Sequence, residues 1–140
     1  MDSGNLVMDY LVRAFELGYP YEYERAIDII EYDAGLARIV LNDGTIGFFD
    51  NIDFMFKIVY RDGDTFEDAW KEVFAILLDY RMGMMCVGQV RLSELTGISQ
   101  ATLSGYFNCK YVPTVINVMK LAKALHVQNS YFTDCLMDIL

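Results

Sequence analysis

Two carboxylate pairs, Asp50 with Asp53 and Asp62 with Asp64, are spaced closely enough to act together, and the chain has a single histidine, His126. Acid–base or nucleophilic catalysis needs such groups beside a His, a nucleophile motif or a Gly-rich phosphate loop, and the pairs have none of these as sequence neighbours. They fall in expected turns, where capping is their natural role. His126 follows a helical stretch and suits a C-terminal cap better than a ligand position. The three cysteines, Cys86, Cys109 and Cys135, are odd in number and lack CxxC spacing, so reduced structural thiols are expected rather than a zinc site or a disulfide framework. No catalytic residue, no metal and no cofactor are expected: the chain reads as a binding protein, not an enzyme.

A different chemistry is written between Gln89 and Ser104, in Gln89-Val90-Arg91-Leu92-Ser93-Glu94-Leu95-Thr96-Gly97-Ile98-Ser99-Gln100-Ala101-Thr102-Leu103-Ser104. A helix, a Gly for a tight turn, an apolar lock and an N-cap for a second helix occur in the order that a helix-turn-helix requires, with Gly97, Ile98 and Ser99 in the last three roles. Leu92 and Leu103 supply core contacts on either side. After Tyr106 to Thr114, a turn ending on a capping residue, Val115, Val118, Met119, Ala122 and Leu125 recur at helical spacing. A final short helix can start at Ser130.

These residues resemble the XRE, or Cro-like, phage-repressor helix-turn-helix family over about forty residues without a gap. Gln89 matches the Gln that commonly opens helix two, Thr96 to Gln100 the turn and the start of helix three, and Val112-Pro113-Thr114 to Leu125 the Pro-capped fourth helix. The resemblance implies a sequence-specific transcriptional regulator, often a repressor of phage or mobile-element origin, binding operator DNA as a homodimer in the cytoplasm of a bacterial host. It implies that Gln100, Ala101 and Ser104 face the bases, where Gln pairs with adenine, Ser bonds either way and Ala meets a thymine methyl. Gln89, Ser99, Thr102, Asn108 and Lys110 would hold the phosphate backbone, with Arg91 a looser contact. The chain departs from the family at Gly105, where a basic or long polar side chain is frequent, and at Cys109-Lys110-Tyr111, where Gly and a more basic pair are usual. Tyr106 stands at an apolar anchor position.

The elements that must carry this motif divide the chain into an acidic α+β domain over 1–64 and a helix-turn-helix domain of about five helices over 65–140. Asn5 to Leu17 is apolar except for Asp9, Arg13 and Glu16, which form one polar stripe on a helix that Gly18 and Pro20 end. Three β-rich runs, Ala26 to Tyr32, Leu36 to Leu41 and Thr45 to Phe49, are separated by Asp33-Ala34-Gly35 and Asn42-Asp43-Gly44, giving a three-stranded antiparallel meander. Asn51 to Tyr60 is expected to be a short helix. Thr65 caps a further helix with Asp68 three residues on, and Phe66, Trp70, Val73, Phe74, Leu77 and Tyr80 mark its buried face to about Met82. A loop longer than usual, Met84 to Gly88, is then expected to lead into the motif.

Of the formal net charge of -9, Met1 to Asp68 holds fifteen acidic and five basic residues (-10) and Ala69 to Leu140 five acidic and six basic (+1). Between Leu78 and Val127 five basic residues face two acidic ones, so each subunit neutralises few phosphates and its affinity should vary only modestly with salt. The acidic half suits a basic protein or a nucleoprotein. An acidic unit joined to a repressor-like motif resembles in outline some phage anti-CRISPR proteins, which implies inhibition of a host nuclease as an alternative function. No apolar run approaches the ~18 residues of a membrane span, and the first residues lack the basic region of a secretory signal. Tyr131, Phe132, Leu136, Met137, Ile139 and Leu140 are too apolar for a free tail and are the expected dimer surface.

Overall fold

Runs of β-branched and aromatic residues divided by Asp, Asn and Gly favour hairpins, because Gly alone turns the chain through positive φ without steric penalty. The computed structural model describes residues 26–33, 35–50 and 55–139. In it, these runs form a four-stranded antiparallel meander of β1 (Ala26–Asp33), β2 (Leu36–Leu41), β3 (Ile46–Asp50) and β4 (Met55–Tyr60), in that spatial order. Gly44 takes a φ of 87° in the turn between β2 and β3. There the Leu41 N–H donates to the Thr45 carbonyl at 2.8 Å, and the Thr45 N–H to Asp43 Oδ1 at 3.0 Å. Both faces of β2 and β3 are covered, since Leu36, Ala37, Arg38, Ile39, Ile46, Phe48 and Phe49 are all buried. Arg38 donates to the Tyr32 hydroxyl at 3.1 Å, its guanidinium lies 5.9 Å from the Tyr32 ring centre, and Tyr32 packs on Phe48.

The fourth strand corrects the expected short helix over Asn51 to Tyr60, and with it the three-strand count. A brief apolar run does not reveal its period, and β3 decides the matter by pairing from Asp50 with Met55 to Ile46 with Tyr60. The expected helix over Asn5 to Leu17 lies outside the described residues.

The chain divides at Asp64 and Thr65 into two compact units. In the second, Thr65 Oγ1 accepts the Asp68 N–H at 3.2 Å and starts α1 (Phe66–Met85). Then follow α2 (Gln89–Thr96), α3 (Gln100–Phe107), α4 (Val115–Ala124) and the short α5 (Ser130–Thr133) and α6 (Leu136–Ile139). α1 buries Ala69, Trp70, Val73, Phe74, Leu77, Leu78 and Met82, while Phe66 at its first position is exposed and Tyr80 is half-buried. The helix continues to Met85, so Cys86 to Gly88 alone joins it to α2, and the two helices bend through 98°. Methionine is a good helix former, and the reversal is made at Cys86, with φ 55°, rather than at the glycine that marks most helix ends.

Phe74 is the hub of this unit. Its ring lies 5.3 Å from Trp70, 5.3 Å edge-on from Tyr106 of α3 and 5.1 Å from Phe132 of α5. Tyr106 fills the apolar anchor position by burying its ring and accepting a hydrogen bond on its hydroxyl from Asn117 Nδ2 at 2.7 Å. α1 reaches the other helices through polar contacts as well: Arg81 Nε donates to the Leu125 carbonyl at 2.9 Å, and Cys109 Sγ to the Lys71 carbonyl at 3.7 Å. α4 buries Val118, Leu121 and Ala122, and Leu125 at its end, spaced i, i+3, i+4 and i+7. That face excludes Val115 and Met119, which belong to the same helical recurrence; both are exposed.

α1, α3 and α4 end alike. Cys86, Cys109 and His126 take φ of 55°, 56° and 58°. In each case the N–H after that residue bonds five residues back: Val87 to Met82, Lys110 to Gly105, Val127 to Ala122. His126 thus is a cap residue, in a left-handed conformation that disfavours a side chain by about 1–2 kcal/mol. Because Gly also loses more backbone entropy on folding, His126→Gly is expected to raise the unfolding free energy by about 0.5–1 kcal/mol. The urea midpoint measures it, and an unchanged or lower midpoint would refute the strain. Tyr106→Phe strands the Asn117 amide and is expected to lower stability by about 1 kcal/mol in the same assay.

Candidate nucleic-acid interface

To place one helix across another, the chain must reverse within three residues and then hold the reversal rigidly. Gly97, with φ 75°, makes the turn, and its N–H donates to the Ser93 carbonyl at 2.8 Å. A Cβ there would meet nothing within 4 Å, so glycine serves the backbone rather than packing. Ile98 is buried between the helices, and its peptide is held at both ends. Its N–H donates to Thr96 Oγ1 at 3.2 Å, and its carbonyl accepts from Ser93 Oγ at 2.6 Å. Thr96 Oγ1 in turn donates to the Leu92 carbonyl at 2.7 Å. Ser99 Oγ then accepts the Thr102 N–H at 3.1 Å and caps α3. Leu92 and Leu103 are fully buried below the turn.

This frame leaves the motif's polar side chains outside the core. Gln100 and Ala101 are exposed and Ser104 is half-buried; at i, i+1 and i+4 they share one face of α3. Gln89 is exposed at the start of α2, where Gly88 offers no side-chain cap to the first N–H groups. Unsatisfied N–H groups at a helix start favour an anion. Ser99 and Thr102 are tied together, Oγ to Oγ1 at 2.9 Å. Asn108 spends its amide on α3, donating to the Ser104 carbonyl at 2.8 Å and Ser104 Oγ at 3.3 Å. Lys110 is exposed; Arg91 is exposed too, but pairs with Glu94 at 3.2 Å, which offsets part of its charge.

Spacing alone missed the Tyr111 ring. It lies over Gly105, so close that any Cβ at position 105 would collide with it. A ring from the following turn thus covers the side of α3 on which Gly105 carries no side chain. The signal available was a helical Gly with a Tyr six residues on, just past the αL turn at Cys109.

The expected dimer residues divide. Phe132 is fully buried against Phe74, within its own chain's core, and so lies on no surface. Tyr131, Leu136 and Ile139 are half-buried. The side chain of Met137 and the whole of Leu140 lie outside the described residues. All three cysteines are free thiols, and among the described residues no cluster of His, Cys, Asp or Glu is arranged to hold a metal. No single helix among them is long and apolar enough to cross a membrane.

No curated protein and no solved structure matches the chain. Residues 89–131 match the family model described as Helix-turn-helix, a span from the first residue of α2 into α5. With the αL turn at Gly97, the buried Ile98 and the Ser99 cap all within it, this segment is a helix-turn-helix domain, consistent with the XRE, or Cro-like, family.

Proposed function

We propose that the protein is a sequence-specific DNA-binding regulator in which α3 enters the major groove and two copies of the chain act together on one operator. The observation that carries this reading is the outward side of α3: Gln100 and Ala101 are exposed on a first turn capped by Ser99, and half-buried Ser104 follows one turn on, while α2 starts at Gln89 without a side-chain cap. Those side chains read base edges, while Gln89, Ser99, Thr102 and Lys110 position the duplex through its phosphates. Asn108, bonded back to Ser104, acts by steadying that side chain. A single recognition helix covers too few base pairs to specify a site, which is why the active species is a homodimer.

A second reading concerns the other unit. Met1 to Asp64 contains thirteen acidic and five basic residues, and Asp28 and Glu31 of β1 and Asp43 of the second hairpin are exposed. That surface suits a basic protein, such as a nuclease whose nucleic-acid channel it would occupy.

Gel shifts on the DNA upstream of the protein's own gene test the first reading. Gln100→Ala is expected to weaken specific binding by about 1–3 kcal/mol and leave non-specific binding intact; unchanged specific binding would remove Gln100 from the site. Lys110→Ala is expected to weaken binding to all sequences and to reduce the slope of log affinity against log salt by about 1. Reversing Asp28, Glu31 and Asp43 to Lys together should abolish inhibition of a host nuclease and spare the gel shift. Inhibition that survives the reversal would eliminate the second reading.

A further inference from the structure

α3 presents two chemistries on its outward side. Gln100 and Ser104 carry hydrogen-bonding groups, whereas Ala101 and Gly105, one helical turn apart at i and i+4, carry none. The ring of Tyr111 lies over Gly105, in the space that a Cβ there would enter, and the residue keeps 52 % of its surface exposed. Ala101 is exposed one turn before. Ala101, Gly105 and the Tyr111 ring therefore follow one another along α3 as an apolar surface, whose only polar side-chain group is the phenol hydroxyl.

The ring is held there from both ends of its turn. Before it, Cys109 reverses the chain at φ 56° and the Lys110 N–H donates to the Gly105 carbonyl at 2.8 Å. After it, Pro113 is buried with φ fixed by its own ring, and Thr114 Oγ1 accepts the Asn117 N–H at 3.1 Å. A side chain placed in advance by its backbone loses less freedom on binding. The surface offers no cation to a phosphate, and the electron-rich face of an aromatic ring suits a C–H group and not an anion. Among the base edges of the major groove, one apolar group stands out, the C5 methyl of thymine. We infer that Tyr111 is a specificity-determining residue of the α3 site, its ring and the Ala101 methyl together forming the surface that reads a thymine methyl. The inference rests on the DNA-binding reading and adds to it a residue from outside α3 and the base that this residue selects.

Gel shifts on two probes of the DNA upstream of the protein's own gene, one ordinary and one synthesised with deoxyuridine in place of thymidine, isolate the methyl. Each is read against an unrelated duplex made in the same way. The wild type is expected to bind the thymine probe at least about threefold more tightly than the uracil probe, the contribution of roughly one buried methyl group. Tyr111→Ser should weaken binding to the thymine probe and lower that ratio, whereas Tyr111→Phe, which keeps the ring, should preserve both. Circular dichroism of each variant, matching the wild type, confirms that the fold is intact. Equal wild-type binding to the two probes, a ratio unchanged in Tyr111→Ser, or a Tyr111→Phe variant as defective as Tyr111→Ser overturns the inference and leaves the DNA-binding reading standing. A wild type that shifts neither probe in preference to the unrelated duplex overturns that reading, and the inference with it.

Discussion

An eight-residue helix does not hold its own shape in water, so the position of α3 depends on what grips it from below, and the grip is the edge-on contact of Phe74 with Tyr106. The same Phe74 ring meets Trp70 and Phe132, so one side chain of α1 ties α3 to α5. Aromatic pairs in this geometry add ~0.5–1.5 kcal/mol each beyond the area that they bury. Tyrosine at position 106 brings a polar group into that core, and Asn117 of α4 answers it, so α3 and α4 are locked by a hydrogen bond as well as by packing. Gln100 and Ser104 are pointed outward by this arrangement, one link removed.

Sharp helix ends set the rest of the geometry. Three reversals use non-glycine residues at positive φ, each strained by about 1–2 kcal/mol and each compensated by backbone bonds that satisfy the last carbonyls of a helix. Cys109 shows why glycine is not required. Its thiol reaches the Lys71 carbonyl of α1, a contact that glycine could not make. The same reversal carries Tyr111 back over α3, where its ring occupies the space that a side chain at Gly105 would enter.

The motif itself was legible because its parts are local: a turn glycine, an apolar lock and a capping serine have fixed offsets, and Gly97, Ile98 and Ser99 occupy them. The hairpins of β1 to β3 were legible for the same reason. What sequence could not supply was long-range. β4 reads as a helix until β3 offers it a register, and α1 runs past Met82 because a cysteine makes the turn. Helical spacing placed Val115 and Met119 on α4 without saying which of its two apolar sides faces the core. Phe132 looked like an interface residue from composition, yet Phe74 takes it into the interior. Base-facing residues were named by position in the motif; their exposure on one face of α3 follows from the turn geometry, while the pairing of Arg91 with Glu94 and the return bond from Asn108 to Ser104 depend on side-chain directions that spacing does not specify.

The near-neutral charge of the second unit poses a physical problem for binding DNA. Counterion release supplies most of a DNA-binding protein's affinity, and a subunit with few free cations near α3 obtains little of it. Joining two such subunits changes the arithmetic without adding a charge, because the second recognition helix then binds from a high effective concentration. On the proposed reading, pairing two copies would supply affinity that the few cations of one subunit do not. On that reading, affinity for an operator would rise with protein concentration as dimers form, and a monomer would make only weak contact with any sequence.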